Sequence, residues 1–278
     1  MMIGIIGLGL IGGSLAKSIK AKTSHTVFAN DIDAETMKNA KDCGAIDGDL
    51  TRENISNCDL IFPALAPSKT VEWLKIHAKE ISSKTTVIDL CGIKRAVCDE
   101  IFPIAAENNF NFIGGHPMAG LERGGFKNSK SDLYDGASMI LTPNAEIDSK
   151  RLEKLRKFFL EIGFSSITLT TPEEHDRIIA YTSHLAHIIS SAYVKMPANS
   201  KLRSFTAGSF RDMTRVSRMN EKLWTELFFY NRDFLIEQVE SVIKSLDEYL
   251  NALKENNPEK LEKLIIKGRE MKALADGD

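Results

Sequence analysis

The chain has 278 residues with 36 Lys and Arg against 38 Asp and Glu, so its formal net charge at pH 7 is −2. Its 43% hydrophobic and 27% charged residues are typical of a globular protein and exclude collagen-like, simple fibrous and disordered chains. A charge this close to zero gives no general attraction to a phosphate backbone, so we expect no nucleic-acid partner.

Cysteine spacing and the apolar runs narrow the class of protein further. The 4 cysteines form no CxxC pair, which indicates neither a disulfide framework nor a zinc site, and we expect a reduced, cytoplasmic protein. The apolar start of the chain lacks the basic residues that precede the core of a signal peptide. No apolar run approaches the roughly 18 residues of a spanning helix, so we expect no membrane partner.

The first predicted strand, Ile3–Ile6, leads into a glycine turn, defined here as residues 7–12. This turn has the spacing GxGxxG, and a helical pattern from Leu15 to Ile19 follows it. In such a setting the first glycine allows the tight turn, the second lets a pyrophosphate approach, and the third lets the helix pack on the strand. The turn therefore predicts a dinucleotide site formed by Gly7, Leu8, Gly9, Leu10, Ile11 and Gly12.

Asp31 follows the second predicted strand, Thr26–Ala29, and lies about 20 residues beyond Gly12. A carboxylate at this place accepts hydrogen bonds from ribose hydroxyls and repels a 2′-phosphate, so it favours NAD over NADP. Alternatively Asp31 caps the next helix, and the glycine turn belongs to a flavodoxin-like or methyltransferase domain. Asp33 is the other candidate for that cap, and its use would leave Asp31 free for the cofactor.

Five more strands are predicted, each separated from the next by a helical pattern. They are Leu60–Phe62, Thr86–Leu90, Phe110–Ile113, Ser138–Leu141 and Ser166–Leu169. Alternation of strands and helices predicts a largely parallel sheet with helices on both faces. We therefore predict a Rossmann-type, doubly wound α/β domain over residues 1–171.

His116 comes immediately after the strand that is predicted to end at Ile113. Ligands of open α/β sheets bind beyond the carboxyl ends of strands, so we expect His116 at the ligand site. A histidine there accepts a hydroxyl proton while hydride leaves the same carbon, and Glu122 is placed to orient or charge the site. The alternative is a histidine that is hydrogen-bonded within a turn and has no chemical role.

After Glu173 the sequence has no convincing strand, and helical patterns predict an all-α domain over residues 172–278. His184 and His187 lie one turn apart on one such helix. Two histidines at this spacing can bind a metal, but no carboxylate or third ligand accompanies them, so we expect none. Substrate contact and core packing remain the two alternatives for this pair.

Arg211, Arg215 and Arg218 recur at helical spacing and predict one cationic helix face. A basic face is often merely solvated. The guanidinium group of arginine can nevertheless donate two parallel hydrogen bonds to a carboxylate. We therefore expect an anionic hydroxy substrate, given this face, a dinucleotide turn and a histidine base in one chain.

At this point the motifs resemble one family, the prephenate dehydrogenases or TyrA group of tyrosine biosynthesis. The resemblance covers nearly the whole chain, and its most specific blocks are GGHPMAG at residues 114–120 and FRDMTR at residues 210–215. It implies a Rossmann domain followed by a helical dimerisation domain, and therefore a homodimer. It also implies NAD-dependent oxidative decarboxylation of prephenate to 4-hydroxyphenylpyruvate, with tyrosine as a candidate feedback ligand.

The resemblance implies roles for single residues as well. His116 resembles the catalytic histidine that takes the proton of the ring hydroxyl. Arg215 resembles the arginine that holds a substrate carboxylate, with Asp212 orienting that end of the helix. Four further residues match the family's pocket, namely Ser183, His187, Glu122 and Trp224, the last two through gating or a neighbouring subunit. His184 matches the same motif and is less expected to touch the substrate.

Two positions depart from the family pattern. Gly92 stands where many members have a serine that is hydrogen-bonded to the catalytic histidine, so that role passes to water, to Cys91 or to backbone. Ala186 replaces the proline of the usual SHLPH block.

Three alternatives to a prephenate dehydrogenase remain. An arogenate dehydrogenase would use the same scaffold on an aminated substrate. A β-hydroxyacid dehydrogenase would need a catalytic lysine in the second domain, for which Lys195 is the one candidate. A non-catalytic NAD sensor would need no base at His116. Family members also occur fused to a chorismate mutase or an ACT domain; we expect the dehydrogenase core alone here, with feedback control acting near the active site.

Overall fold

The computed structural model describes residues 1–144, 147–195 and 202–277. Within these residues the strands form one sheet in the order β3-β2-β1-β4-β5-β6-β7-β8. The strands are β1 (Met2–Ile6), β2 (Thr26–Asn30), β3 (Gly48–Asp49), β4 (Leu60–Pro63), β5 (Thr86–Ile88), β6 (Asn111–Pro117), β7 (Ser138–Pro143) and β8 (Ser166–Leu169).

The helices of the first domain cover both faces of this sheet. They are α1 (Leu10–Lys22), α2 (Ala34–Asp42), α3 (Arg52–Ile55), α4 (Pro67–His77), α5 (Arg95–Glu107) and α6 (Ser149–Glu161). Successive side chains of β1 point to opposite faces, so Ile3 and Ile5 pack with α1, α2 and α6, whereas Ile6 packs with α3, α4 and α5. The predicted doubly wound α/β fold is therefore confirmed.

Each predicted strand is present, and the two-residue β3 is an addition to the prediction. Neighbouring strands are parallel except for β6 and β7, which pair antiparallel with His116 opposite Ile140. Because β7 and β8 are parallel to each other, these two strands run against the other six. The prediction of a largely parallel sheet is thus confirmed.

The described part of the chain beyond β8 contains helices and no strand. These helices are α7 (Pro172–Ile179), α8 (Ala186–Val194), α9 (Leu202–Phe205), α10 (Gly208–Thr214), α11 (Glu221–Tyr230), α12 (Arg232–Lys254) and α13 (Pro258–Asp276). A π-helical turn, Ala180–Leu185, joins α7 to α8. Leu227 of α11 is buried against the α4–α5 face of the sheet, so the helical domain packs directly on the first domain. None of the described helices has the length and apolarity needed to span a bilayer.

Candidate active site

The glycine turn lies between the end of β1 and the start of α1. Gly7 has a φ of 88°, in the left-handed region, and its N–H donates to the carbonyl of Asn30 (2.8 Å). A Cβ on Gly12 would overlap the carbonyl oxygen of Gly7, whereas a Cβ on Gly9 would meet no atom within 4 Å. Open space therefore faces the first turn of α1, whose N-cap residue is Gly9 and has no side chain to cover the amides of that turn. This arrangement fits a dinucleotide pyrophosphate.

Asp31 follows β2, and its carboxylate is held beside the glycine turn. One oxygen accepts from the amide of Leu8 (2.6 Å) and the other from the amide of Asp33 (2.9 Å). The cap of α2 is Asp33, which accepts from the amide of Glu35 (3.2 Å), so Asp31 is not used as the helix cap. Among the apolar residues of the turn, Leu8 is buried, Leu10 begins α1 and Ile11 packs against the core.

A cleft of about 480 Å³ continues from Asp31 along α2, lined also by Ile32, Met37 and Lys38. The side chain of Ile32 is fully exposed. An apolar side chain beside a carboxylate matches the two parts of an adenosine, its flat base and its ribose hydroxyls. The residues present therefore fit the adenosine half of NAD.

His116 is the penultimate residue of β6, so the prediction that it follows the strand is wrong. The strand continues to Pro117 because β7 pairs with it over the whole of this segment. Gly115 permits this close pairing, since a Cβ there would lie 2.5 Å from the carbonyl oxygen of Asp89 and 2.8 Å from Met139. His116 still lies at the carboxyl end of β6, which is the edge of the sheet where ligands bind.

His116 is hydrogen-bonded to a second histidine, which comes from the helical domain. Its Nδ1 lies 2.9 Å from Nε2 of His175, and Nδ1 of His175 lies 2.8 Å from Oδ1 of Asp176. His175 and Asp176 are buried in the first turns of α7, whereas His116 is half-buried. His116 and His175, called the histidine pair below, therefore join the two domains at the carboxyl edge of the sheet.

Asp176 also holds the start of α5. Its two oxygens accept from the backbone amides of Lys94 (2.7 Å) and Arg95 (2.9 Å), so a carboxylate of the helical domain acts as the cap of a helix in the first domain. Beneath this contact Lys94 forms an ion pair with Asp89, and both side chains are buried. Asp89 in turn accepts from the amide of Gly115 (3.1 Å), next to His116.

Burial lowers the pKa of His116 well below its usual value, and the neighbouring His175, Lys94 and His184 lower it further. Burial likewise lowers the pKa of His175, against the opposing effect of Asp176. Burial raises the pKa of Asp176, but the hydrogen bonds from His175, Arg95 and Lys94 outweigh it and leave the pKa below its usual value. At pH 7 both histidines are therefore neutral and Asp176 is ionised.

Gly92 lies beside the second ring nitrogen of His116, Nε2. A Cβ on Gly92 would be 3.9 Å from His116 Nε2 and 3.6 Å from Leu227, which is ordinary contact. The thiol of Cys91 is bonded to Thr70 (3.4 Å) and to the carbonyl of Leu65 (3.5 Å), and burial raises its pKa. Cys91 is therefore neutral and already engaged, which leaves the space at Gly92 to water or substrate.

One face of α11 connects His116 to the histidines of the helical domain. Leu227 of α11 lies beside Gly92. Trp224, one turn earlier on the same helix, packs against the ring of His187 with the centroids 3.8 Å apart. His187 Nδ1 lies 2.8 Å from the carbonyl oxygen of Ser183, and its Nε2 makes no hydrogen bond with a described residue. His184 is buried, and its Nδ1 lies 3.4 Å from the side-chain nitrogen of Asn231. These contacts favour a packing role for His184.

The predicted arginine face is wrong, because α10 ends at Thr214 and a 3-10 turn, Arg215–Ser217, follows. The hydroxyl of Ser217 donates to the carbonyl of Thr214 (2.7 Å) and thereby favours this turn over continued helix. Arg215 instead reaches back to Glu122 of the first domain, 3.8 Å away, with both side chains largely exposed. Asp212 is exposed on α10 and has no hydrogen bond or ion pair with a described residue.

The family model for the prephenate dehydrogenase nucleotide-binding domain matches residues 15–168, and that for the prephenate dehydrogenase dimerization domain matches residues 171–267. The chain belongs to the prephenate dehydrogenase family. The predicted family is thus confirmed, and the glycine turn lies immediately before the residues that match the nucleotide-binding domain.

Three relatives illustrate the range of this family. The prephenate dehydrogenase of Bacillus subtilis is 28% identical over 92% of this chain and 71% of its own length. A prephenate dehydrogenase from A. aeolicus, solved with hydroxyphenyl propionate and NAD+, is 27% identical with a TM-score of 0.87 over 99% of this chain and 98% of its own. Synechocystis arogenate dehydrogenase is 25% identical with a TM-score of 0.81 over 99% and 100%. The chain is an oxidoreductase of this family, whose members differ in substrate.

The structure brings together His116, Gly92, Leu227, Trp224 and His187. Burial lowers the pKa of His187, Arg215 is close enough to lower it further, and Glu122 lies beside Arg215. His175 and Asp176, which contact His116 and α5, have no role predicted from the sequence. The pattern Thr171-Pro172 followed by His175-Asp176 indicates a helix start with a buried polar pair, but the partner at His116 lies in another domain. No cluster of metal-binding side chains occurs among the residues that the structure describes.

Proposed function

We propose that this protein catalyses the NAD-dependent oxidative decarboxylation of prephenate to 4-hydroxyphenylpyruvate. The observation that carries the proposal is the state of His116, a neutral imidazole whose Nε2 faces the space beside Gly92. His116 lies at the carboxyl end of β6, and the glycine turn follows β1 at the same edge of the sheet. Base and cofactor site therefore share the edge where ligands of such folds bind.

His116 takes the proton of the ring hydroxyl on Nε2, and this transfer is worth about 10²- to 10⁴-fold in rate. NAD, when bound at the glycine turn, supplies the acceptor for the hydride that leaves the ring carbon bearing that hydroxyl. Carbon dioxide is lost from the ring, which becomes aromatic, so the reaction is effectively irreversible. Arg215 holds a substrate carboxylate, with Glu122 beside it, and the pocket residues His187, Ser183 and Trp224 surround the rest of the substrate.

The experiment that tests this proposal compares prephenate with arogenate in one assay of NADH formation, each with and without tyrosine. We expect a higher kcat/KM with prephenate. A preference for arogenate would instead establish the second candidate, which the similarity to Synechocystis arogenate dehydrogenase supports. No NADH with either compound, while NAD still binds, would favour a sensor.

Replacing His116 by Asn tests the base directly. Asn keeps a polar group of similar size but cannot take up a proton, so we expect kcat to fall by about 10²- to 10⁴-fold. The Kd for NAD should stay unchanged, because the glycine turn is intact. Unchanged turnover would remove His116 from the chemistry.

A β-hydroxyacid dehydrogenase is disfavoured by the position of Lys195. This lysine is exposed at the end of α8 and bonds through its backbone amide to the carbonyl of Ala192 (3.2 Å). Its ammonium group is not buried, as a catalytic lysine with a lowered pKa would have to be.

A further inference from the structure

The hydrogen bonds around the histidine pair determine which nitrogen of each ring carries the proton. Asp176 is ionised and already accepts two backbone amides, so it can only accept from Nδ1 of His175. A neutral His175 that donates from Nδ1 has a lone pair on Nε2. The 2.9 Å bond from that Nε2 to Nδ1 of His116 then requires that His116 is the donor. In this state His116 carries its proton on Nδ1 and has a bare Nε2.

We infer that His175 and Asp176 are positioning residues, which hold His116 in the Nδ1–H tautomer and direct its bare Nε2 toward the substrate hydroxyl beside Gly92. This inference rests on the proposed function of His116 as the base. Without His175, His116 would be free to adopt the other tautomer, in which Nε2 carries a proton and cannot accept another. His116 remains a donor to His175 after it has taken the substrate proton, so no proton needs to pass to Asp176.

The location of the two residues in the fold supports a positioning role over simple packing. Asp176 does not move independently, because its carboxylate is bound to the amides of Lys94 and Arg95 at the start of α5. The side-chain amide of Asn231 donates to the backbone carbonyl of Asp176 (2.8 Å), which also fixes the backbone at Asp176. The ring of His175 lies at 61° to the ring of His116 with the centroids 5.1 Å apart, so the rings do not stack and their contact is the hydrogen bond.

The groups that influence His116 come from several elements. They are His175 of α7, His184 of the π-helical turn, and Lys94 at the start of α5, whose charge is paired with Asp89 of the β5–α5 connection. Of these groups only His175 is hydrogen-bonded to His116. A change at His175 is therefore expected to alter the proton affinity of His116 directly.

The first test is the tautomeric state of the free protein, measured by long-range ¹H–¹⁵N correlation of ¹⁵N-histidine at a pH where both rings are neutral. We expect His116 and His175 to be Nδ1–H tautomers, with signals assigned by their loss in His116→Asn and His175→Gln. An Nε2–H tautomer at His116 would overturn the inference. This measurement needs no substrate, so it stands even if the assay of prephenate and arogenate refutes the proposed function.

The second test compares kinetics of His175→Leu, which removes the acceptor, with His175→Gln, whose side-chain oxygen can reach the same place. Because the base is worth about 10²- to 10⁴-fold, we expect His175→Leu to lower kcat by about 10- to 100-fold with little change in KM for NAD. Besides burial, His175 is one of the groups that lower the pKa of His116, so its loss should raise that pKa and move the acidic limb of the kcat profile to higher pH. His175→Gln should restore kcat toward the wild-type value.

The matched control is His77→Gln, since His77 also bonds to a carboxylate, Glu80 (2.6 Å), but lies in α4 away from the histidine pair. We expect its kcat and pH profile to be those of the wild type. Equal losses of kcat in His175→Leu and His175→Gln, with the acidic limb unmoved in both, would assign His175 to packing and overturn the inference. Melting curves of each variant identify any loss that is due to unfolding.

Discussion

At the scale of single residues, the two glycines nearest His116 have opposite reasons to be glycine. Gly115 has no space for a side chain, because the Asp89 carbonyl and Ile88 lie within 2.7 Å of its Cβ position. Gly92 has space, with Leu227 and His116 at ordinary contact distance, and its φ is outside the left-handed region. Of Gly92 and Gly115, only Gly115 is therefore required by the fold.

We expect Gly92→Ser to fold normally and to raise kcat by about fivefold. The added hydroxyl would lie near His116 Nε2 and the substrate hydroxyl, and one net hydrogen bond is worth about 1 kcal/mol. Stability should not fall, since replacing glycine in a compatible conformation reduces the entropy of the unfolded chain. Steady-state kinetics and a urea titration measure the two effects, with Gly115→Ser as the destabilised comparison. A drop in kcat for Gly92→Ser would show that water or substrate needs the space.

Single residues could be predicted from the sequence where their partners are close along the chain. The glycine turn and its relation to Asp31 follow a local spacing, and the structure places both as that spacing indicates. His175 and Asp176 were not assigned, because His116 lies 59 residues away from His175 in another domain. The identity of a proton's acceptor depends on such tertiary contacts, which a single sequence does not show.

At the scale of elements, the predicted strands and helices are present, but some of them end at residues other than those predicted. Pairing with the antiparallel strand β7 extends β6 through His116. The hydrogen bond from the Ser217 hydroxyl to the Thr214 carbonyl favours the end of α10 at Thr214. Apolar periodicity predicts the middle of a strand or helix. Where the element ends depends on which groups form hydrogen bonds with its last backbone N–H and C=O groups. The predicted face of three arginines was wrong for this reason.

The 3-10 turn that follows α10 directs Arg215 toward Glu122, and we expect Arg215→Ala chiefly to raise KM for prephenate. A charge-assisted hydrogen bond to a carboxylate is worth about 1.5 to 3 kcal/mol, which corresponds to a rise of about 10-fold or more. Substrate and transition state carry the same side-chain carboxylate, so kcat should change little. Steady-state kinetics distinguish the effects, with Arg218→Ala as the control. A fall in kcat alone would assign Arg215 to the transition state.

At the scale of the whole molecule, Arg95 connects the domains through a contact with two parts. Its guanidinium binds both oxygens of Asp233 (2.6 and 2.7 Å) at the start of α12 and lies over the ring of Phe234, 4.1 Å from the centroid. The hydrogen bond from Arg95 is the main reason that the pKa of Asp233 is lowered to about 2. The contact between the domains therefore includes an ion pair that depends on pH.

We expect Asp233→Asn to lower the free energy of unfolding by at most about 1 kcal/mol at pH 7, because the pair is partly exposed and screened. A carboxyl group whose pKa is lower in the folded protein stabilises it above the unfolded value of about 3.9, and this stabilisation is lost as the pH falls toward 2. Urea titrations of both proteins at several pH values should show curves that converge in acid. A difference that stays constant down to pH 2 would mean that charge is not involved.

The helical domain presents apolar side chains that the described residues leave exposed. On α12 and α13 they include Ile243, Leu246, Leu253, Ile265 and Leu274. A patch of this kind marks an association surface, and the match to a dimerization domain supports our proposal of a homodimer. We expect a dimer by sedimentation equilibrium, and Leu246→Glu combined with Leu253→Glu should shift it to monomer. Leu160→Glu on α6 is the matched control; equal behaviour of both variants would contradict this interface.

The cap that Asp176 places on α5 makes two backbone amides into reporters of domain separation. Amides in the first turn of a helix usually exchange quickly with solvent deuterium, since no carbonyl of their own helix binds them. The amides of Lys94 and Arg95 are bound by a residue of the other domain, so they can exchange only when the domains part. Their exchange rates therefore report how often the contact between α7 and α5 opens in the wild-type enzyme.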